Sequence, residues 1–189
     1  MFSLFKRKPE LEKKEKILFK ISPSQNVAQL PEIKDRNSFD IRYPLIAPYA
    51  YAHIFWDKES NEIVYFVEEP LLDDSEKKIL NILEEGIKEL IDISFINIKD
   101  ENIVLEYLES NIRILAKEFG LNIQEDSLQR LMYFIYRDFV GLNEIDPLMK
   151  DYFIEDIECN GSRTPVYIVH RKYRNMRTNI VFEDNKKLA

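Results

Sequence analysis

Residues 49–67 read YAYAHIFWDKESNEIVYFV and have the pattern of a β-hairpin. Odd positions from Tyr49 to Phe55 carry aromatic or imidazole rings and alternate with a second set of apolar residues, as in a half-buried strand. A polar run supplies the turn, and residues 63–67 form a β-branched and aromatic partner strand. We therefore expect an antiparallel pair here, with His53 as a structural or surface histidine.

The segment before the hairpin has a weak secondary-structure pattern, and the segment after it has a strong helical pattern. Residues 21–47 contain three prolines and predict an extended connection with a short strand near residues 39–42. After the hairpin, Asp73 or Asp74 caps a first amphipathic helix, and Asp73 with Glu76 has capping-box spacing. Its apolar positions are Ile79, Leu83, Ile87, Leu90 and Ile91.

Two further helices follow. Asp100 is the predicted cap of the second, and Gly120 is its predicted stop. The third runs from about Glu125 to Phe139 and ends at Gly141. The apolar stripe of the second helix is Leu105, Leu108, Ile112, Leu115 and Phe119, and that of the third is Leu128, Leu131, Met132, Ile135 and Phe139. Each stripe is one face wide, so each helix packs against another element.

Short strand patterns return near the end of the chain, at residues 154–158, 166–170 and 178–182. Asn160-Gly161-Ser162 predicts the first turn, and residues 173–176 the second. The expected fold class is α+β, with an N-terminal β-hairpin, three amphipathic helices in a layer or small bundle, and a C-terminal three-stranded antiparallel sheet.

This pattern predicts a division of the chain into segments. Residues 1–20 form a flexible basic arm, residues 21–144 hold the hairpin and helices, and residues 145–184 form a small β subdomain. Lys187-Leu188-Ala189 resembles the start of an expression-vector scar, which favours a deliberately truncated chain.

Composition excludes several classes of function. The net charge is −7, and residues 1–20 hold seven Lys or Arg against three Glu, so they carry +4 and the rest carries −11. An acidic body argues against nucleic-acid binding. One cysteine, Cys159, permits no internal disulfide and fits a reducing compartment. With only two histidines, no metal site is expected, and no apolar run is long enough for a transmembrane helix.

A basic cluster is the strongest candidate for chemistry. Residues 170–177 hold five potential cations beside Tyr173, namely His170, Arg171, Lys172, Arg174 and Arg177. Guanidinium groups bind phosphate bidentately, although a solvated basic turn that balances nearby acids explains the cluster equally simply.

Three other features have both a functional and a structural interpretation. Arg137-Asp138 suits either the end of a helix dipole or an interdomain ion pair. Asp156 and Glu158 share a strand face, as paired catalytic carboxylates would, but an acidic surface strand also explains them. The arm residues Phe2, Phe5, Lys6, Arg7 and Lys8 are either a frayed terminus or an anchor for a membrane or partner.

The densest set of recognisable motifs runs from Arg137 to Ile180. It includes Ile145-Asp146-Pro147-Leu148-Met149, Ile154-Glu155-Asp156-Ile157, His170-Arg171-Lys172-Tyr173 and Thr178-Asn179-Ile180. In order and spacing this set resembles the region ahead of the ATPase core in archaeal motor ATPases of the type II secretion, type IV pilus and archaellum family. The ATPase core itself is absent from this sequence, since no G-x-x-x-x-G-K-[ST] loop occurs around Gly86, Gly120, Gly141 or Gly161.

The resemblance implies a hexameric, Mg-ATP-dependent motor at the cytoplasmic face of the membrane. Its expected partners are neighbouring ATPase subunits, a polytopic membrane platform protein, accessory motor proteins and an anionic membrane surface. Arg171, followed by Lys172, Arg174 and Arg177, would approach nucleotide at a subunit interface. This chain itself carries no catalytic residue or cofactor under that interpretation. The alternatives are a protein-binding adaptor without catalysis, a nucleic-acid-binding regulator that uses residues 170–177, and a hydrolase that uses Asp156 and Glu158.

Overall fold

The computed structural model describes residues 19–23, 29–90 and 101–183. In these ranges three long helices, one short helix and seven strands form an α+β fold, as the sequence predicts. The strands are β1 (Ser22–Pro23), β2 (Asp40–Ala47), β3 (Ala50–Asp57), β4 (Glu62–Glu68), β5 (Ile154–Glu158), β6 (Pro165–His170) and β7 (Arg174–Val181). The helices are α1 (Asp74–Leu90), α2 (Glu101–Glu118), α3 (Glu125–Phe139) and α4 (Asp146–Met149), with a 3-10 turn at Asn143–Ile145 before α4.

All seven strands belong to one sheet in the order β1-β2-β3-β4-β7-β6-β5. The hairpin β3–β4 and the antiparallel pairs β5–β6 and β6–β7 form as predicted. The hairpin and the C-terminal strands are joined into one sheet because β4 pairs with β7 in parallel. Val64 is opposite Arg177, and Tyr65 is opposite Thr178. The prediction of a separate three-stranded sheet is therefore wrong, because sequence periodicity reports on single strands and their turns but not on which distant strands pair.

Two strand boundaries also differ from the prediction. β2 extends over eight residues and contains Pro44, where a short strand is expected. The turn between β6 and β7 lies at residues 171–173, whereas the sequence predicts it at residues 173–176. β7 therefore begins at Arg174, inside the predicted turn. Arg174 has a φ of +64°, a conformation that non-glycine residues adopt infrequently and that composition does not signal.

The helix ends follow the predicted chemistry where the structure describes them. The Asp73 carboxylate accepts a hydrogen bond from the Glu76 backbone N–H (2.8 Å), and Glu76 accepts one from the Asp73 N–H (3.0 Å), which is a complete capping box. Gly120 has a φ of +63° after α2, as a C-terminal glycine requires. Asp100 and Ile91 lie outside the described residues.

Gly141 follows the end of α3, as predicted, but the structure requires glycine there because other atoms approach its Cα closely. A Cβ at this position would lie 2.6 Å from the Asp146 carboxyl carbon and 2.7 Å from the Arg137 carbonyl oxygen. This close approach lets the Leu142 N–H donate to Asp146 (3.2 Å), which is buried. Glycine thus permits the tight passage from α3 to α4.

One apolar core joins the helices to the sheet. Alternate residues of the central strands, including Ile54, Tyr65 and Ile168, are fully buried. They belong to the same cluster as the helix stripes, whose most buried members are Leu83, Ile87, Leu108, Ile112, Leu131, Met132 and Ile135. Phe119 departs from its predicted stripe and is half exposed. None of the helices in the described ranges has the length and hydropathy that a membrane span requires.

Candidate interaction site at the β6–β7 turn

The predicted basic cluster does not converge on one point. Arg171 Nε lies 3.6 Å from Glu155 on β5, Lys172 Nζ lies 2.9 Å from Glu32, and an Arg177 Nη lies 3.3 Å from Asp57 at the end of β3. Each cation is directed at an acid on a different segment. The chain alone therefore does not assemble a phosphate clamp of several cations from these residues.

His170 is not a cation of this cluster, and that prediction is wrong. Its side chain is 1% exposed and stacks between the rings of Phe153 (5.5 Å) and Tyr173 (4.9 Å). Its Nδ1 accepts hydrogen bonds from the backbone N–H groups of Lys172 and Tyr173, both at 3.2 Å. Burial lowers the pKa of His170 to about 4, although the nearby Asp151 opposes the shift, so the imidazole is neutral at pH 7.

Arg171 is accessible and held in place by its backbone. Its N–H donates to the Phe153 carbonyl (2.8 Å), and its side chain is 44% exposed. The guanidinium carbon lies 4.5 Å from the ring centre of Tyr152, a cation–π geometry. Tyr152 and Met149 are themselves more than half exposed. Arg171, Tyr152 and Met149 thus bring to the surface three residue types that are enriched at protein interfaces.

Lys172 and Tyr173 have structural roles at this turn. Lys172 Nζ donates to the Leu30 carbonyl (2.6 Å), and the Tyr173 hydroxyl donates to the Pro31 carbonyl (2.8 Å). Burial, with a smaller effect of Glu32, raises the pKa of Tyr173 to about 12. Arg174 is exposed and makes no ion pair within the part of the chain that the structure describes. Arg171 and Arg174 are therefore the accessible arginines of the turn.

A buried acid behind the turn is the feature that the sequence analysis does not predict. Asp151 is 7% exposed, and its Oδ2 accepts hydrogen bonds from the hydroxyls of Tyr43 (2.6 Å) and Tyr65 (2.7 Å). Its Oδ1 accepts one from the Phe153 N–H (2.8 Å). Burial, followed by the charge of Asp151, raises the pKa of both tyrosines well above 10. We call these three residues the Asp151 network.

The Asp151 network connects distant parts of the chain. Tyr43 and Tyr65 come from β2 and β4, whereas Asp151 follows α4 and precedes β5. A signal for it exists in the sequence, because a tyrosine on the buried face of a strand requires a hydrogen-bond partner for its hydroxyl. The identity of that partner depends on the tertiary fold.

Arg137 is the second buried ionic centre. One of its Nη atoms lies 2.9 Å from both carboxylate oxygens of Glu69, and its Nε lies 2.6 Å from Asp138. The hydroxyl of Tyr133 also donates to Glu69 (2.6 Å). Burial opposes the charged guanidinium, but Asp138 and Glu69 together raise its pKa. The ion pairs of Arg137 lie within the chain, between α3 and the segment after β4. A role between domains stays a prediction for Arg137 and Asp138.

The remaining acidic candidates are exposed at the edge of the sheet. Glu155, Asp156 and Glu158 lie on the exposed edge strand β5, and Asp156 accepts a hydrogen bond from its neighbour's N–H (2.9 Å). Cys159 is exposed just beyond this strand. Within residues 19–23, 29–90 and 101–183, no group of three His, Cys, Asp or Glu side chains is placed to hold a metal ion. Phe2, Phe5, Lys6, Arg7, Lys8 and residues 187–189 lie outside the described residues.

Two curated proteins of Methanocaldococcus jannaschii are similar to this chain. The uncharacterized protein MJ1288 is 34% identical over 135 residues, which cover 71% of this chain and 53% of that protein. The uncharacterized protein MJ0900 is 28% identical over 188 residues, which cover 88% of this chain and 33% of that protein. No family model matches the sequence. The chain thus spans about half the length of one relative and a third of the other.

Proposed function

We propose that this chain is the N-terminal docking and motion-transmitting domain of a hexameric motor ATPase that drives archaellum or type IV pilus assembly or secretion. The main support is the motif resemblance from Arg137 to Ile180. Its residues form the end of α3, α4 and β5–β7, and they include the buried Asp146, Asp151 and His170. This unit leaves Arg171 accessible on its surface. The two relatives are longer than the matched region, as a domain of a larger protein requires.

The proposal assigns different tasks to this chain and to the ATPase core. The chain has no phosphate-cradling loop, so Mg-ATP binds to the core that follows it in the complete protein. Arg171 approaches the nucleotide at the interface with a neighbouring subunit, where an added guanidinium stabilises the charge of phosphoryl transfer. The long contact of 3.6 Å with Glu155 leaves Arg171 free to change partners.

The proposal also places the motor at the cytoplasmic face of the membrane. The basic arm, with Phe2, Phe5, Lys6, Arg7 and Lys8, meets anionic lipid or the platform protein there. Liposome sedimentation tests this step, since deletion of residues 1–8 should abolish binding to anionic vesicles. Equal binding with and without the arm would refute it.

The decisive experiment begins with the reading frame downstream of residue 183. A G-x-x-x-x-G-K-[ST] loop within about 100 residues is expected, and the product of the complete frame should hydrolyse ATP while the 189-residue chain should not. In the complete protein, Arg171→Ala should lower kcat at least about tenfold. Arg36→Ala is the control, because Arg36 is an exposed arginine that lies outside residues 170–177.

Two outcomes would overturn the proposal. ATP hydrolysis by the 189-residue chain would contradict the division of tasks. A reading frame that stops near Asn185 would favour the adaptor interpretation, in which the chain binds protein partners without catalysis.

A further inference from the structure

The side chains of the sheet project to two sides, and the core with the helices occupies one of them. Ala50, Ala52 and Ile54 on β3 are buried in the core that also contains the helix stripes. Tyr51 and Phe55 lie between these residues and project to the opposite side, because successive side chains of a strand alternate. Neither belongs to that core. The sheet therefore has a second face, which we call the open face.

The strand register extends the open face across the sheet. Phe55 is opposite Val64, Val64 is opposite Arg177, and Arg177 is opposite Tyr167. Residues that are paired in this way have their side chains on the same face. The rings of the open face are those of Tyr51, His53, Phe55, Phe66 and Tyr167.

Three of these rings form a continuous surface. The ring centres of His53 and Phe55 are 4.6 Å apart, and those of Phe55 and Phe66 are 5.2 Å apart. Val64, opposite Phe55, is 1% exposed although it lies outside the main core. The open face thus buries an apolar residue of its own, while the three rings stay partly exposed. An apolar patch with a polar rim is typical of an interaction surface.

The charges around the rings are mainly negative. On the described strands, the open face carries two arginines, Arg42 and Arg177, besides His53. It carries six carboxylates, those of Asp40, Asp57, Glu62, Glu68, Asp156 and Glu158. Because a charged surface attracts partners of the opposite sign and repels those of its own sign, this excess favours a basic partner and disfavours nucleic acid.

Arg42 already makes, within the chain, the contacts that a basic partner would make. Its guanidinium carbon lies 3.9 Å from the ring centre of Tyr51, and its Nε donates to Glu68. Glu68 also lies 2.9 Å from a ring nitrogen of His53. An aromatic ring beside a carboxylate binds the cation of an arginine or lysine by a cation–π contact and a charge-assisted hydrogen bond. The open face therefore has both parts of a cation-binding arrangement.

We propose that the open face binds a basic amphipathic helix of a partner protein. The apolar side of that helix packs against Phe55 and Phe66, and its Lys or Arg side chains pair with the surrounding carboxylates. The opposite face of the same sheet packs against amphipathic helices of this chain, so a helix layer suits this sheet. The inference goes beyond the motor proposal and does not depend on it, because the nucleotide role there belongs to Arg171.

A peptide titration of the 189-residue chain, followed by amide NMR, tests the proposal. The probe is a peptide of about 18 residues with leucine and lysine at helical spacing, long enough to form a helix on binding. Amide shifts should change on β3 and β4 and stay constant around Ile103 and Ile114, which are exposed apolar residues of α2. A matched peptide with glutamate in place of lysine should bind at least about tenfold more weakly.

Two pairs of variants separate the open face from general attraction to an acidic protein. Phe55→Thr keeps a β-branched residue in the strand and should raise Kd at least about tenfold, whereas Ile103→Thr should leave Kd unchanged. Asp40→Asn should weaken binding more than Asp74→Asn, because Asp74 is equally acidic but lies at the start of α1. The shift map of the unmodified chain decides the question if a variant does not fold.

The contrary results are distinct. Shift changes on α2 instead of β3 and β4, equal affinity for the two peptides, or an unchanged Kd in Phe55→Thr would overturn the proposal. Binding of a single-stranded oligonucleotide to the same strands, in preference to the lysine peptide, would also overturn it and would assign the open face to nucleic acid. ATP hydrolysis is not part of this test, so a failure of the motor proposal leaves its outcome unaffected.

Discussion

Arg137 and Arg171 belong to the same stretch of recognisable motifs, yet the fold treats them differently. Arg137 has a side chain that is 9% exposed and is shared between Glu69 and Asp138 at 2.6–2.9 Å. Arg171 is 44% exposed and lies 3.6 Å from Glu155. A buried arginine with two carboxylates is a structural tie, whereas an exposed arginine with one distant carboxylate is available to a partner. Burial, rather than residue type or motif membership, separates the two roles.

The same contrast holds for the acids. Asp151 is buried and accepts three hydrogen bonds, while Glu155, four residues later, is exposed on an edge strand. Asp151 therefore stabilises the fold from the interior, whereas Glu155 lies at the surface beside Arg171. Mutations at the two kinds of position should separate stability from function.

The largest effect is expected for Arg137→Ala. This change leaves Glu69 partly buried without its cation and leaves Asp138 without its main partner. We expect a loss of about 3–5 kcal/mol in the free energy of unfolding, as for other broken buried ion pairs, measured by urea denaturation. A loss under about 1 kcal/mol would mean that the pair is effectively solvated, and the contrast with Arg171 would disappear.

Asp151→Ala should cost slightly less, about 3 kcal/mol, because two buried hydroxyls lose their acceptor. Adding Tyr43→Phe and Tyr65→Phe to this variant removes the unpaired hydroxyls, so part of the loss should be recovered. Asp156→Ala on the exposed strand is the matched control and should change stability by less than about 0.5 kcal/mol. If the triple variant is less stable than Asp151→Ala alone, the hydrogen bonds of the Asp151 network are not what stabilises this region.

A third test uses pH. Because the pKa of folded His170 is lowered to about 4 and an unfolded histidine titrates near about 6.5, the unfolded state binds a proton first as pH falls. Stability should therefore be greatest above about pH 6.5 and fall as pH decreases towards 4, by about 2–3 kcal/mol in total.

His170→Phe checks this assignment, since it removes the titrating group. The quantity to compare is the pH dependence of the unfolding free energy, not the absolute stability of the variant. The expected result is a flat dependence of unfolding free energy on pH between about 4.5 and 6.5, a window that lies above the ordinary range of carboxylate titration. An unchanged slope in the variant would assign the pH dependence to groups other than His170.

The helix cap gives a smaller effect. Asp73→Ala removes the acceptor of the Glu76 N–H, and a loss of about 1 kcal/mol is expected in urea denaturation. Asp74→Ala is the control, because Asp74 is exposed and only approaches Lys77 at 3.6 Å. Equal losses for the two variants would contradict the capping role of Asp73.

Local features of the fold were predictable from the sequence because their causes are local. The capping box at Asp73, the ends of α3 and the bounds of β5 follow from residue spacing alone. The parallel pairing of β4 with β7 was not predictable, because it joins residues more than 100 positions apart and no turn fixes it. The same limit explains the incorrect prediction of a separate C-terminal sheet.

The candidate site was predictable in part. The motif around Arg171 predicts an arginine at an interface, and the Arg171 side chain is accessible in the structure. The prediction that His170 is a cation is wrong, because its stacking between Phe153 and Tyr173 depends on how β5, β6 and β7 come together. Asp151 gave no periodic signal, since its partners are two hydroxyls on strands far away in the sequence.

The smallest effect on stability is expected for Arg171→Ala. An exposed ion pair and an exposed cation–π contact are each worth up to about 1 kcal/mol, and the long distance to Glu155 places this pair at the low end. We expect a change below about 0.5 kcal/mol in urea denaturation, together with the tenfold loss of kcat proposed for the complete ATPase. A variant that loses stability to the extent of Arg137→Ala would identify Arg171 as a second structural tie. Its effect on catalysis would then have to be separated from unfolding before any role at the nucleotide is assigned.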